Sequence, residues 1–176
     1  NGVLCGPYLD NRIGCVTLLL MMEQLAEAET ENDLYFVFTA QEEVGLRGAG
    51  AAAFAVEPDV AIAVDVTDTG DLPEMKTAMA VEMGGGPAVK VMDRSVICSP
   101  AVCDGLEKAA ELLGISTQRE ILQCGGTDTA ALQKARAGVA AGAVSIPTRY
   151  IHSPSEMCAV SDVEQSAALL AKFAVL

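Results

Sequence analysis

Hydrophobic positions along the chain switch repeatedly between a helical and a strand-like period. Over residues 13–29, Ile13, Val16, Thr17, Leu20 and Met21 recur near helical spacing before a Glu-rich polar stretch, which predicts a buried helix. Residues 34–40 form a short aromatic and β-branched run, and residues 60–64 are wholly apolar. Both have the composition of strands covered on two faces, and both are predicted as central strands. The Ala-rich residues 48–55 between them predict a crossover helix packed closely on a sheet. Residues 89–92 are strand-like. Ser99 and Pro100 then supply an N-cap and a first-turn proline for a helix over 101–113 that Gly114 stops. A strand over 117–122 follows, then a helix capped by Thr127 or Asp128 and running to Lys134, a strand over 139–146, and a last helix opened by Ser161 and Asp162 and running to Phe173. Strand and helix alternate throughout, so the expected fold is α/β, with a largely parallel central sheet.

Composition narrows the function classes. The chain has 176 residues and 18.2 kDa, which suits one domain over 1–176. Lys and Arg number 11 against 24 Asp and Glu, a net charge of −13 with pI near 4.3, and no local basic patch is visible. With no Trp, three Tyr and four Phe, stacking platforms for bases or sugar rings are also scarce. Nucleic-acid and carbohydrate binding are therefore disfavoured. A 51% hydrophobic content with mean hydropathy +0.35 excludes disorder. No apolar run approaches the roughly 20 residues that cross a bilayer, so a soluble chain with no membrane partner is expected. Six Cys without a CxxC pair suggest reduced thiols and a cytoplasmic setting. The irregular segment 67–87 carries acidic residues, two Pro and the run Gly84-Gly85-Gly86. It is expected to be a surface loop. A phosphate nest is the alternative, although no strand feeds the glycines and no Gly-Lys-Ser/Thr follows them.

In open α/β sheets ligands bind beyond the carboxyl ends of strands, which directs attention to polar residues just after apolar runs. Gln41-Glu42-Glu43, Asp65, Gly125-Gly126-Thr127-Asp128 and Arg149-Tyr150-Ile151-His152 hold such positions, and Asp10 precedes the first helix. Convergence of Asp10, Glu42, Glu43, Asp65 and His152, the single His, would gather four carboxylates that need a compensating cation. Oxygen ligands with one imidazole suit zinc, manganese or cobalt, and adjacent Glu residues can divide metal ligation from proton transfer. Spacing alone leaves blander readings open. Glu pairs in loops are commonly solvated, lone His residues are commonly structural, and Asp10 could serve as an Asx-turn or helix cap.

At these residues the sequence resembles the M42 aminopeptidases, dinuclear-metal enzymes some of which carry the older label endoglucanase or cellulase M. The matching stretches are Leu9-Asp10-Asn11-Arg12-Ile13-Gly14, residues 39–49 with their Gln41-Glu42-Glu43-Val44-Gly45 string, Ala63-Val64-Asp65-Val66, Met92-Asp93-Arg94, Gly125-Gly126-Thr127-Asp128, and residues 146–154 with Pro147-Thr148-Arg149-Tyr150-Ile151-His152-Ser153. The resemblance implies a three-layer fold with helices on both faces of the sheet. It also implies that Asp10 bridges two metals, that Glu43 and His152 complete one metal sphere, that Asp65 belongs to the other, and that Glu42 is the general base. Gly126, Thr127, Asp128 and Arg149 would line the substrate or, alternatively, fix the backbone of the loops that form the site wall. Short peptides are the implied substrates, zinc, cobalt or manganese the implied metals, and a homo-oligomer, commonly a dodecamer, the implied assembly.

The family pattern also contains an early His-x-Asp segment, whose His holds the second metal, and a small β-rich domain. This sequence has neither. The expectation is therefore the C-terminal part of a longer peptidase, which a start at Asn1 rather than Met favours, with at most one well-held metal and little or no activity by itself. A non-catalytic relative that keeps the fold, or a second metal ligand supplied by another polypeptide, are the alternatives. A glycoside hydrolase would want its two carboxylates set apart across a sugar, about 5–9.5 Å from each other, rather than adjacent in sequence.

Overall fold

A computed structural model describes residues 2–73 and 79–176. Along them run β1 (Val3–Gly6), α1 (Leu9–Leu25), α2 (Arg47–Val56), β2 (Val60–Thr67), β3 (Ala88–Met92), α3 (Pro100–Leu113), β4 (Gln118–Ile121), α4 (Thr129–Gln133), β5 (Ala140–Arg149), β6 (Glu156–Ala159) and α5 (Val160–Ala174). Residues 74–78, which fall in the irregular stretch 67–87, lie outside the described residues.

The fold is α/β, built on an open six-stranded sheet in the order β1-β6-β5-β3-β4 with β2 also paired to β5. β5 is its spine, and nearly all its residues are buried. The longest ladder is parallel and joins β2 to β5 over eight pairs, from Val60 opposite Ala140 to Thr67 opposite Pro147. β3 and β4 are also parallel, whereas β3 with β5, β5 with β6, and β1 with β6 pair antiparallel. The antiparallel part thus comes largely from β1 and β6, two four-residue strands that the sequence reading does not predict.

Side-chain alternation along the strands sets the layers. Val89 and Val144 pack with Leu106 of α3 and Leu169 of α5 in one cluster, and Ile146 joins Ile13 of α1 and Val163 of α5 in another. α1, α3 and α5 therefore form one helical layer, while α2 and α4 pack together as a second one against β2 and β5. Gly114 ends α3 in the left-handed conformation (φ 66°), as expected, but Ser99 caps the start of that helix with its carbonyl rather than its hydroxyl.

Three expectations need correction. Residues 34–40 pair with no strand among the described residues, and Tyr35, Val37 and Phe38 are exposed. β propensity is local, whereas a strand exists only where a neighbour accepts its backbone hydrogen bonds. β2, also expected to be central, is hydrogen-bonded only to β5 among the described residues. α1, likewise, is not buried all round. Ile13, Gly14 and Thr17 face inward, but Val16, Leu19 and Met22 are exposed.

The triple glycine is a tight loop. Asp162, in the first turn of α5, accepts the Gly84 N–H (2.7 Å) and the Gly86 N–H (3.1 Å) on its two carboxylate oxygens. The anion in this nest is the chain's own side chain, so the phosphate alternative is set aside. Gly86 has φ 94°, and a Cβ there would lie 2.0 Å from the Ser116 carbonyl oxygen, which leaves room for glycine alone.

Candidate metal centre

Three chain segments meet at the site. Asp10 lies where β1 passes into α1, and both Asp10 and Asn11 have non-helical φ/ψ, so the regular helix begins after them. Asn11 is the working cap. Its Oδ1 accepts the Gly14 N–H (3.1 Å), and its amide nitrogen donates to the Val64 carbonyl (2.8 Å). The capping role considered for Asp10 is thus filled by its neighbour, which ties the first turn to β2 and leaves the Asp10 carboxylate uncommitted to the helix.

Glu42 and Glu43 sit on a tight turn before α2, closed by hydrogen bonds from Gly45 and Leu46 to Glu42 O, from Arg47 to Gln41 O, and from Gly48 to Ala40 O. A Cβ at Gly48 would fall 2.5 Å from the Ala40 backbone, so this closure requires glycine. Asp65 projects from the middle of β2, buried, with its Oδ1 accepting the Val66 N–H (2.9 Å). His152 lies in the turn between β5 and β6 with a left-handed φ of 63°.

These placements bring Asp10, Glu43 and His152 together. His152 Nε2 is 3.0 Å from Asp10 Oδ2 and 3.3 Å from Glu43 Oε1, and one ligand atom from each residue fits within 4.8 Å of the others. A tetrahedral ion held at about 2.0–2.1 Å separates its ligand atoms by about 3.3 Å, so the trio fits such an ion in both donor chemistry and spacing. The site is open, with His152 and Glu43 side chains 66% and 63% exposed.

Glu42 and Asp65 stand beside the trio. Burial pushes Glu42 up to about 7, helped by the charges of Asp128, Glu43 and Asp10. Burial likewise raises Asp65 to about 8, with Glu42 and Asp10 adding to the rise against the opposing Val66 N–H. Asp10 rises to about 6 through burial and then Glu43, while His152 opposes the rise. The cluster therefore has an unmet demand for positive charge.

The expected substrate-lining residues divide. Asp128 faces the cluster, with its Oδ2 accepting the Thr39 hydroxyl (2.7 Å). Gly126 packs against Ser95, so a Cβ there would meet Ser95 Oγ at 2.7 Å. Thr127 does not line an open wall. It is buried and its hydroxyl is paired with Thr129 (2.9 Å), so it serves the backbone. Arg149 is engaged by Asp71 through two hydrogen bonds of 3.1 and 2.5 Å.

Two polar residues next to the site escaped the sequence reading. Lys90 is fully buried on β3, in contact with Glu120 of β4 and 3.7 Å from Asp93, and Glu120 also accepts the Thr67 hydroxyl (2.9 Å). Its signal was a lone Lys between Val89 and Val91 in an apolar run. Glu156, also buried, accepts backbone N–H groups from both Asp10 and His152. Its only signal was an acid at the start of the Met157-Cys158-Ala159 run.

Comparison with known proteins gives the family and the fold. Residues 1–169 match the M42 glutamyl aminopeptidase family. A protein of Acetivibrio thermocellus, provisionally named an aminopeptidase, is 52% identical over 162 residues, which is 92% of this chain and 48% of that protein. Among solved structures, the aminopeptidase APDkam598 of Desulfurococcus kamchatkensis superposes with TM-score 0.94 at 37% identity, covering 98% of this chain and 49% of the other. The TET1 peptidase of Pyrococcus horikoshii, which assembles into a tetrahedron or a large octahedral shell, superposes with TM-score 0.85 at 32% identity over 98% of this chain and 50% of the other. The chain belongs to the M42 family. It spans about half the length of the curated relatives it matches.

Proposed function

We propose that the chain carries the proton-transfer and metal-ligand half of a metal-dependent aminopeptidase site, hydrolysing the N-terminal residue from short peptides in the longer protein. The observation that supports this reading is the convergence of Asp10, Glu43 and His152 within ligand spacing beside a Glu42 raised to about 7. Asp10, Glu43 and His152 would hold one divalent ion, zinc, cobalt or manganese. When bound, the ion would favour ionisation of water and polarise a carbonyl. Glu42 accepts the proton of the attacking water on its carboxylate and returns it to the leaving amine, a role its raised proton affinity suits. Asp128, with one oxygen held by Thr39, presents negative charge toward the same space, which suits an α-ammonium group. Asp65 is the ligand available to a second ion, but the only His is already used, so that ion would be weakly held in this chain alone.

The exposed face has the same logic. Among the described residues the second edge of β2 and residues 34–40 are unpaired, and Val16 and Leu19 of α1 are exposed, which are features that the rest of a longer protein would cover. Alone, the chain is expected to self-associate, and a monodisperse monomer by light scattering would count against this reading. A homo-oligomer is expected of the longer protein.

Metal analysis with peptide hydrolysis tests the site. One ion per chain after zinc loading and buffer exchange, with weak or no cleavage of an aminoacyl amide, is the expected result. Zinc retention no better than that of a His152→Ala variant would defeat the metal reading. Two retained ions with rapid cleavage would defeat the half-site reading.

A further inference from the structure

We propose that Glu156 is the positioning residue of the centre, a buried carboxylate that sets the backbones of Asp10 and His152 so that their side chains meet at ligand spacing. The inference rests on the metal reading above and adds the device that assembles it. Glu156 is 2% exposed, and its two oxygens divide between two segments. Oε2 accepts the Asp10 N–H at 3.1 Å, and Oε1 accepts the His152 N–H at 2.9 Å. Both oxygens are thus committed to backbone donors, and no salt bridge reaches Glu156 among the described residues. It is therefore placed to organise ligands and not to act as one.

The topology explains why one residue can do this. Glu156 opens β6 opposite Gly6 of β1, four residues before Asp10, so its side chain lies where β1 hands over to α1. It also closes the turn that carries His152, whose left-handed φ of 63° needs an external hold because a residue with a Cβ rarely settles there. One carboxylate thereby couples His152, four residues away, to Asp10, 146 residues away in sequence. Metal sites depend on such outer partners, which fix ligand orientation before the ion arrives.

Glutamine keeps the shape of Glu156 but offers one acceptor oxygen, and its NH₂ would face the other N–H donor. Aspartate keeps the charge but is too short to span both. The test uses Glu156→Gln and Glu156→Asp in the whole chain, with zinc affinity from chelator competition, urea unfolding of the metal-free chain, and amide ¹H–¹⁵N spectra. In both variants zinc affinity is expected to fall by roughly 10- to 100-fold. The Asp10 and His152 amide protons are expected to be downfield and protected in the parent chain, and at least one of them is expected to lose both properties in Glu156→Gln. Unchanged zinc affinity in a folded variant, even one less stable to urea, overturns the proposal, since a merely architectural residue would give that result. If neither variant folds, the parent decides: protected Asp10 and His152 amides support the clamp, and exchange at the rate of exposed amides overturns it. Failure of the parent chain to bind zinc would instead sink the metal reading, and the amide protection would still decide whether Glu156 holds both segments.

Discussion

Two groups of acids lie close together in this molecule and are neutralised in opposite ways. Glu120 and Asp93 are buried with their own cation, Lys90, fully enclosed between them. Asp10, Glu42, Glu43 and Asp65 share one exposed His152 and no Lys or Arg among the described salt bridges. The first group holds a cation of its own inside the fold and belongs to the architecture, tying the end of β2 to β3 and β4 through Thr67. The second is incomplete, and an ion from solution is its natural counterpart. Acid density alone does not mark a site; the missing cation does.

Lys90→Met should expose the contrast most strongly, because it leaves two buried carboxylates unpaired. A loss of about 3–5 kcal/mol in urea unfolding is expected. Glu43→Gln, in the open group, should change metal-free stability by less than about 0.5 kcal/mol. Equal losses from the two would erase the distinction.

Zinc should act on the open group alone. At a hundredfold excess over its Kd it is expected to stabilise the chain by about 2.7 kcal/mol, and His152→Ala should abolish the gain while Lys90 variants that fold keep it. Thermal unfolding with and without zinc reads this directly.

A smaller effect concerns pH in the absence of metal. Asp65 and Asp10 rise from 3.8 to about 8 and about 6, and Glu42 from 4.5 to about 7, so the folded chain binds more protons than the unfolded one across that window. Their contribution is fully present below the ordinary values and is lost as pH rises through the folded ones. Stability should therefore fall as pH rises from about 4 to about 8. Asp65→Asn should flatten that slope, and a stability that rises over the same window would contradict the proposed charge imbalance.

The smallest expected change lies at Arg149 and Asp71, a partly exposed pair outside both groups. Its guanidinium holds the Asp71 carboxyl below its ordinary value. That stabilisation is present above the ordinary Asp range and lost as pH falls through the lowered one. Asp71→Asn should cost at most about 1 kcal/mol near neutral pH. A much larger loss would mean that Arg149 supports the site after all.

How much of this was legible beforehand differs by residue. The helical runs after Arg47, Pro100 and Val160 follow from period and composition, and each appears within a few residues of expectation. Asp10, Glu43 and His152 were recognisable because short strings of neighbouring residues carry them. Residues 34–40 misled, since their side chains suit a sheet interior that the described residues do not supply. β1 and β6 were missed because they are short and pair with each other from opposite ends of the chain, Val3 lying opposite Ala159. Thr127 looked like part of a substrate wall because sequence does not tell which side of a loop faces inward.

The sequence by itself determined the alternation of helix and strand, the acidic balance and the types of donor available to a metal, because periodicity, composition and local strings are properties of near neighbours. Only the tertiary structure decided which acids have a cation, which strand edges stay open and which carboxylate holds Asp10 and His152 in place. The physical reason is range. A hydrogen bond between positions 146 apart leaves no trace in the local pattern and exists only once the chain has folded around it.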